Sequence, residues 1–298
     1  MKWLILAPSS DNAEKFVGFL ETKKCESSVF GIDCEYKDLF AAIKSADNFI
    51  VCDTEKLAEN PKFSFIYGLI AERGQFVIVQ GKNVDSLNDF VCGCDNIVFA
   101  QTKADGLKIL RSNFKTYFDV DTQNNARREL LSRGLPFTAD CMAHFIEKDK
   151  PEIVDLVYTA GLDVNSFTED GVPVLCAATR CGNVEYVKWL LKKNADVNII
   201  SKDRGYSPVM DAVWKKNLDM VKLFIKCGAD LGVMSSDGQP ILVLAVGNGN
   251  AKIVETLLKA GADPDVKDSM GMSARNYASL FKNTELVKLM NKFPKKEQ

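Results

Sequence analysis

The residue types that usually carry catalysis and metal binding are sparse in this sequence. Among 298 residues there is one histidine, His144. A metal site that needs two imidazoles is therefore excluded, and a Ser-His-Asp or Cys-His arrangement has a single available base. The nine cysteines form no Cys-x-x-Cys pair, and most lie in apolar runs such as those around Cys52 and Cys176. This pattern is typical of buried free thiols in a reducing compartment and predicts a cytoplasmic protein with no metal site and no cofactor.

Polar residues at predicted strand ends are the remaining candidates for small-ligand chemistry. Ser9 and Ser10 follow the first apolar run, and Asp53 and Thr54 follow the third. Ligands of open parallel sheets bind beyond the carboxyl ends of the strands, so these four residues form the candidate site for a nucleotide-like ligand. Helix capping is the competing interpretation of the two serines. The sequence has no Gly-x-Gly-x-x-Gly and no Walker A motif, so ordinary dinucleotide or nucleoside-triphosphate binding has no signature here.

The elements that must position these residues alternate along the first 134 residues. Apolar runs predict strands at residues 2–7, 27–32, 49–52, 75–80 and 96–100. Amphipathic stretches predict helices at 12–24, 36–46, 61–73, 84–91 and 103–134, with a separate helix at 124–133. Strand-helix alternation favours a parallel sheet. We therefore expect residues 1–134 to form a five-stranded, mostly parallel, flavodoxin-like three-layer α/β domain, with Gly134 and Pro136 marking its boundary.

The second half of the chain is periodic. Glycines recur at intervals of 34, 33 and 33 residues, each opening a similar segment, at Gly171, Gly205, Gly238 and Gly271. An alanine follows seven positions after each glycine, and a turn of the type Gly-Ala-Asp follows later in the same phase. Apolar spacing within each unit predicts two short helices. Such a period indicates a solenoid of stacked helix pairs.

Residues from about 136 to 293 resemble ankyrin repeats. The resemblance rests on Gly-Tyr-Ser-Pro-Val-Met-Asp-Ala at 205–212 and on the Gly-Ala-Asp turns. It implies an all-α array over 135–298 with about five units, at 136–167 as a cap, 168–201, 202–234, 235–267 and 268–293. No unit keeps the histidine of the family's Thr-Pro-Leu-His tetrad, which leaves the order between neighbouring hairpins open. Ankyrin-like proteins bind other proteins through the concave face of hairpin tips and first helices.

Counting from Gly205, the positions expected on that face are Tyr206, Asp211, Trp214 and Lys215. Tyrosine and tryptophan are enriched among the residues that dominate binding energy at protein interfaces. Tyr206 and Trp214 are therefore the candidate anchors for a partner protein. The competing interpretation is that Trp214 packs on Arg180 or Gly247 and binds nothing.

About residues 1–100 resemble the nucleoside deoxyribosyltransferase and Toll/interleukin-receptor-like group. The pattern comprises Asp47 and Asp53 around the third strand, the helix starting Phe-Ser-Phe-Ile-Tyr-Gly-Leu, and the strand Gln-Phe-Val-Ile-Val. The resemblance implies a glutamate that acts at the anomeric carbon of a nucleoside or of NAD. Ile66 occupies the position of that glutamate, and an alkyl side chain can neither attack nor stabilise an oxocarbenium ion. The position predicts a non-catalytic domain.

Three functions remain open on sequence alone. The favoured hypothesis is a scaffold that binds a partner protein through the repeats, with the α/β domain as a non-catalytic companion. In the second, the α/β domain cleaves nucleosides or NAD, or senses nucleotides, and the repeats regulate or target it. In the third, the α/β domain has a purely structural role. The net charge of −2 argues against nucleic-acid binding, and no apolar run approaches 18 residues, so no membrane association is expected.

Overall fold

The computed structural model describes residues 1–73, 75–82 and 94–293. The chain divides into two compact units, Met1–Asn125 and Ala126–Gln298, called unit 1 and unit 2 below. In these described ranges, no helix combines the length and apolar character needed to cross a membrane.

Unit 1 is built on a five-stranded parallel sheet. Its strands are β1 (Lys2–Leu6), β2 (Glu26–Phe30), β3 (Asn48–Cys52), β4 (Phe76–Gln80) and β5 (Ile97–Ala100). Their order is β2-β1-β3-β4-β5, so the direction in which strands are added reverses between β1 and β3. Every neighbouring pair is parallel. The predicted fold class is confirmed, and this order is the flavodoxin-like one.

Helices cover both faces of the sheet because alternate strand residues point to opposite sides. The helices are α1 (Ser10–Thr22), α2 (Tyr36–Ser45), α3 (Thr54–Ala58), α4 (Phe63–Arg73) and α5 (Lys103–Ser132). Leu4 and Leu6 join the core formed with α2, α3 and α4. Trp3 and Ile5 join the opposite core with α1 and α5. The three layers therefore have two apolar interiors.

Helix α5 differs from the expectation. The prediction of a separate helix at 124–133 is wrong, because residues 103–132 form one continuous helix. Its sequence has no proline, and its single glycine, Gly106, lies in the first turn, so nothing interrupts the backbone hydrogen bonds further along. The predicted helix at 84–91 lies outside the described residues.

The described part of unit 2 contains five helix pairs. They are α6 (Ala139–Glu147) with α7 (Pro151–Thr159), α8 (Val174–Cys181) with α9 (Val184–Lys192), α10 (Pro208–Trp214) with α11 (Leu218–Lys226), α12 (Ile241–Gly247) with α13 (Ala251–Lys259), and α14 (Ala274–Leu280) with α15 (Thr284–Asn291). The first helices α8, α10, α12 and α14 pack side by side in that order. One apolar core extends through the whole stack.

Hairpins connect the helix pairs and contact one another. Antiparallel bridges close three of them, at Phe167–Pro173, Met234–Pro240 and Lys267–Ser273. Between neighbours, the Lys202 N–H donates to the Gly171 carbonyl at 2.8 Å, and the Ser236 N–H donates to the Arg204 carbonyl at 2.9 Å. A Cβ on Gly205 (φ +67°) would lie 2.4 Å from the Ser236 nitrogen, so this approach requires glycine. Backbone bonds thus order the hairpins without the family's histidine.

Asparagines add a second set of bonds between repeats. Asn165 Oδ1 accepts from the Asp196 N–H, and Asn198 Oδ1 accepts from the Asp230 N–H, both at 2.7 Å. Gly232 occupies the same position in the following repeat and has no side chain to continue the series. We call these bonds the asparagine ladder.

Candidate functional site

Trp214 is a large, partly exposed side chain at the end of the first helix of a pair in unit 2. It ends α10, and 48% of its surface is exposed. The Tyr206 ring lies edge-on to it, with centroids 6.5 Å apart, and Tyr206 itself is buried. Lys215 follows as the exposed C-cap residue. Tyr206 therefore supports the indole from below, while Trp214 and Lys215 face solvent.

Asp211 lies in the interior rather than on the exposed surface. Its side chain is completely buried, and Arg180 from the preceding repeat donates from Nε to its Oδ1 at 2.9 Å. Arg180 Nη1 also donates to Asp203 Oδ2 at 2.7 Å, and Nη2 donates to Ser201 Oγ at 3.2 Å. We call Arg180, Asp203 and Asp211 the arginine network. It connects α8 to the following hairpin and to α10, the helix that ends at Trp214.

The two carboxylates of the arginine network have pKa values shifted in opposite directions, because one is buried and the other is partly exposed. Burial raises the pKa of Asp211, and Arg180 opposes that rise without cancelling it. Hydrogen bonds from Arg180 hold the pKa of Asp203 well below its usual range. Burial also raises the pKa of the neighbouring Cys176 thiol, which keeps it protonated. One guanidinium therefore bonds two carboxylates in different surroundings, one buried and one partly exposed.

Further exposed apolar side chains share the repeat phase of Trp214 and Lys215. In the last repeat, Leu280 ends α14 and is 61% exposed, and the next residue, Phe281, is 55% exposed. In the repeat between, the corresponding residue is Gly247, whose Cβ would meet nothing within 4 Å. We call the surface of Trp214, Lys215, Leu280 and Phe281 the helix-end face. From the sequence, capping or core packing is the expected role of Leu280 and Phe281, and their exposure is the observation that adds them to this face.

A second candidate site lies at the strand ends of unit 1. A cavity of about 510 Å³ opens at the carboxyl ends of β3, β4 and β5, beside the start of α1. Asp53, the residue after β3, reaches across the sheet's reversal point, where its Oδ2 accepts from Asn12 Nδ2 at 2.9 Å. The lining includes three lysines, Lys56, Lys82 and Lys103. We call this cavity the strand-end pocket.

Of the four strand-end residues singled out from sequence, Asp53 alone lines the strand-end pocket. Ser9 is the N-cap of α1 and Ser10 is its first residue, and both are exposed. Ser9 Oγ donates to Asn12 Oδ1 at 3.0 Å, so this serine holds the side chain that bonds Asp53. Thr54 is buried and packs closely against Gly81. A Cβ on Gly81 would lie 1.8 Å from Thr54 Oγ1.

The position implied to hold a catalytic glutamate lies inside the core. Ile66 is fully buried in α4 and packs in the apolar layer with Leu57, Phe63 and Tyr67. Ile66 therefore packs against the sheet and is not among the residues that line the strand-end pocket. Within the described ranges, no group of three or more His, Cys, Asp and Glu side chains is arranged to hold a metal ion.

A family model described as ankyrin repeats (3 copies) matches residues 142–235 and 209–296, together more than half of the chain. That match lies within unit 2. It therefore leaves the resemblance proposed for unit 1 untested.

Similarity to individual proteins extends further along the chain. A Treponema pallidum (strain Nichols) protein, named for its ankyrin repeats, is 29% identical over 250 residues, covering 84% of this chain and 83% of its own length. Because unit 2 has 173 residues, that alignment must include part of unit 1. The mouse B-cell lymphoma 3 protein homolog is 30% identical over 116 residues, 39% of this chain and 26% of its own length. Human ankyrin repeat and SOCS box protein 3 is 32% identical over 105 residues, 33% and 20% of the two lengths.

Proposed function

The chain belongs to the ankyrin repeat proteins, and on that premise we propose that it binds a partner protein through the helix-end face. The similarity to other ankyrin repeat proteins points to protein-protein interaction as the role of unit 2. The observation that carries the proposal for this particular face is the exposed Trp214 indole above a rigid support. An exposed tryptophan that is already held in one orientation loses little entropy when a partner covers it.

The four residues proposed from sequence take different roles in this proposal. Trp214 and Lys215 contact the partner, and Tyr206 fixes the indole through the edge-on ring contact. Asp211 contacts Arg180 and not the partner, because its carboxylate has no exposed surface. Leu280 and Phe281 extend the apolar contact surface into the last repeat. Aromatic and aliphatic side chains beside lysines suit a partner segment that carries an apolar anchor.

Trp214→Ala tests the proposal. The wild-type chain is immobilised on a resin and incubated with an extract of the organism that encodes it. It should retain a defined set of proteins, which mass spectrometry quantifies. We expect the variant to retain at least about tenfold less of one of them, because anchors of this type contribute about 2 kcal/mol or more. The melting temperature should change little, since half of the side chain is already in water.

Phe118→Ala is the matched control. Phe118 is 49% exposed and lies on α5 in unit 1, so its loss removes a similar exposed ring that is not part of the helix-end face. It should leave capture unchanged. Equal capture by all three proteins would refute the proposal. So would a variant that melts earlier and yet binds as before, because Trp214 would then serve packing alone.

For unit 1 we infer a non-catalytic companion role, because the position of the implied glutamate holds an isoleucine. Support comes from Ile66, which has no exposed surface. Support for a reducing compartment such as the cytoplasm comes from the eight cysteines in the described ranges, all of which are free thiols.

A further inference from the structure

We propose that the strand-end pocket of unit 1 binds a small phosphorylated ligand. The pocket extends over the ends of β3, β4 and β5, and its Asn12–Asp53 side lies where the order of strands reverses between β1 and β3, the place where open α/β sheets bind ligands. Its volume of about 510 Å³ is in the range of sites that hold small molecules. This function is separate from partner binding by unit 2.

The floor of the pocket is held in a fixed and costly backbone conformation. Asp53 has φ 55° and ψ 61°, a left-handed conformation that is unfavourable for a residue with a Cβ. Two contacts hold it there: its N–H donates to Gln80 Oε1 at 3.1 Å, and its carboxylate accepts from Asn12. Gln80 is itself buried. Strained residues maintained by their surroundings cluster at ligand sites, which supports a binding role for this floor.

The described lining of the pocket carries three lysines and two carboxylates, Asp53 and Glu55. Lys56 Nζ lies 3.9 Å from Asp53 Oδ2, and the Lys82 N–H donates to Glu55 Oε1. For the side chains of Lys82 and Lys103, the described residues provide no carboxylate within 4 Å. Lys103 also begins α5, so the positive end of a 30-residue helix dipole lies at the same rim. Three lysines against two carboxylates in the described lining, together with this helix end, favour an anion over a neutral ligand.

The other lining groups indicate what the anion is attached to. Asp53, Gln101 and Thr102 offer acceptors and donors to neighbouring hydroxyl or amine groups. The pocket is larger than a phosphate ion requires. The chemistry therefore fits a phosphate monoester of a hydroxyl-rich molecule, such as a sugar phosphate or a nucleoside monophosphate.

Calorimetric titration of the intact chain tests the proposal at constant ionic strength. The probes are ribose 5-phosphate and AMP, with ribose and adenosine as uncharged counterparts and inorganic phosphate alone. We expect saturable binding of at least one phosphate ester and a matching rise in melting temperature, because a ligand that binds only the folded state stabilises it. The counterparts should bind at least about tenfold more weakly, because they do not engage the lysines.

Variants locate the binding. Lys82→Gln and Lys103→Gln should each weaken binding of the phosphate ester at least about fivefold, whereas Lys115→Gln, in the middle of α5, should not. Lys82→Gln keeps the backbone bond to Glu55, so it tests the charge even if Lys103→Gln lowers stability. The proposal is overturned if no phosphate ester binds, if the uncharged counterparts bind equally well, or if both pocket variants bind as the wild type does. Binding of inorganic phosphate with no gain from the attached sugar would overturn the ester as the ligand.

Discussion

At the residue scale, Arg180 is the side chain on which the support of Trp214 depends. It bonds Asp211 in one direction and Asp203 in the other, and only 19% of its side chain is exposed. Burying an ion pair is of small net benefit, but removing one partner leaves the other charge unpaired in the interior. Arg180 is therefore a positioning residue, and its removal should affect stability before it affects any contact surface.

Arg180→Met should lower the free energy of unfolding by about 3 kcal/mol, measured by guanidinium denaturation, because the Asp211 charge is left buried and unpaired. The loss should be smaller at pH 5 than at pH 7. Burial raises the pKa of Asp211 above its value in the unfolded chain, and in the variant Arg180 no longer opposes that rise. As pH falls, the buried carboxylate of the folded variant therefore takes up a proton, and the free-energy cost of its unpaired charge is relieved.

Two controls accompany this prediction. Arg180→Met with Asp211→Leu should recover much of the loss, since Leu244 already occupies the same phase one repeat later. Lys188→Met, which removes an exposed ion pair with Glu185, should cause only a small loss of stability. A loss of that small size for Arg180→Met itself would contradict the account.

The candidate sites were only partly predictable from residue types. Trp214 and Lys215 are exposed, as a contact surface requires, but nothing in the sequence shows that Arg180, 31 residues earlier, bonds Asp211 in the interior. The rule for strand ends led to Asp53. Its pocket partners come from separate elements, and contacts between distant elements leave no local pattern to read.

At the element scale, the asparagine ladder shows how repeats are connected and where that connection stops. At the position of Asn165 and Asn198, Gly232 leaves the Asp263 N–H without the side chain that the earlier repeats provide. A cavity of about 360 Å³ lies there, lined by Gly232, Asp263 and residues around them. The local turn is the same in each repeat, since the Gly232 N–H donates to Asp230 Oδ1 at 2.8 Å just as the Asn198 N–H donates to Asp196 Oδ1 at 2.9 Å.

Gly232→Asn should therefore extend the ladder and raise the free energy of unfolding by about 1 kcal/mol, through one new hydrogen bond and a less flexible unfolded chain. Thermal denaturation measures the gain, and slower hydrogen exchange at the Asp263 amide identifies its origin. The added Cβ would lie 3.3 Å from Asp230 Oδ1, a tight but movable contact. Asn198→Gly, the reverse change, should lose a similar amount. A lower melting temperature for Gly232→Asn would show that the repeat cannot accept the side chain.

Elements were more predictable than sites because local spacing determines them. All five strands were predicted within two residues of their observed ends, since short apolar runs between helices have few other interpretations. The ends of α5 were predicted within two residues, but the separate helix expected at 124–133 was wrong. Gly134, one of the two boundary signals in the sequence, has a φ of +67° and lies two residues after the end of α5.

At the scale of the whole molecule, the apolar cores of the two units share no residue among those that the structure describes. The core of unit 2 begins with Ala126 and Leu130, in the last turns of α5. Arg127 from the same turns donates from Nε to the Ala160 carbonyl at 2.8 Å and stacks on Phe137. A boundary at 134, as the sequence predicts from Gly134 and Pro136, would remove these side chains from the repeats they contact.

Two fragments decide between the boundaries. Residues 126–298 should fold alone and unfold cooperatively on heating, because every residue of their core is present. Residues 135–298 lack Leu130, which is 1% exposed, as well as Ala126 and the Arg127 bond. Deleting a buried leucine costs about 2–5 kcal/mol. The shorter fragment should thus melt several degrees earlier, with the earliest hydrogen exchange in α6 and α7. Equal melting temperatures would place the working boundary at 134 and make the last turns of α5 dispensable to the repeats.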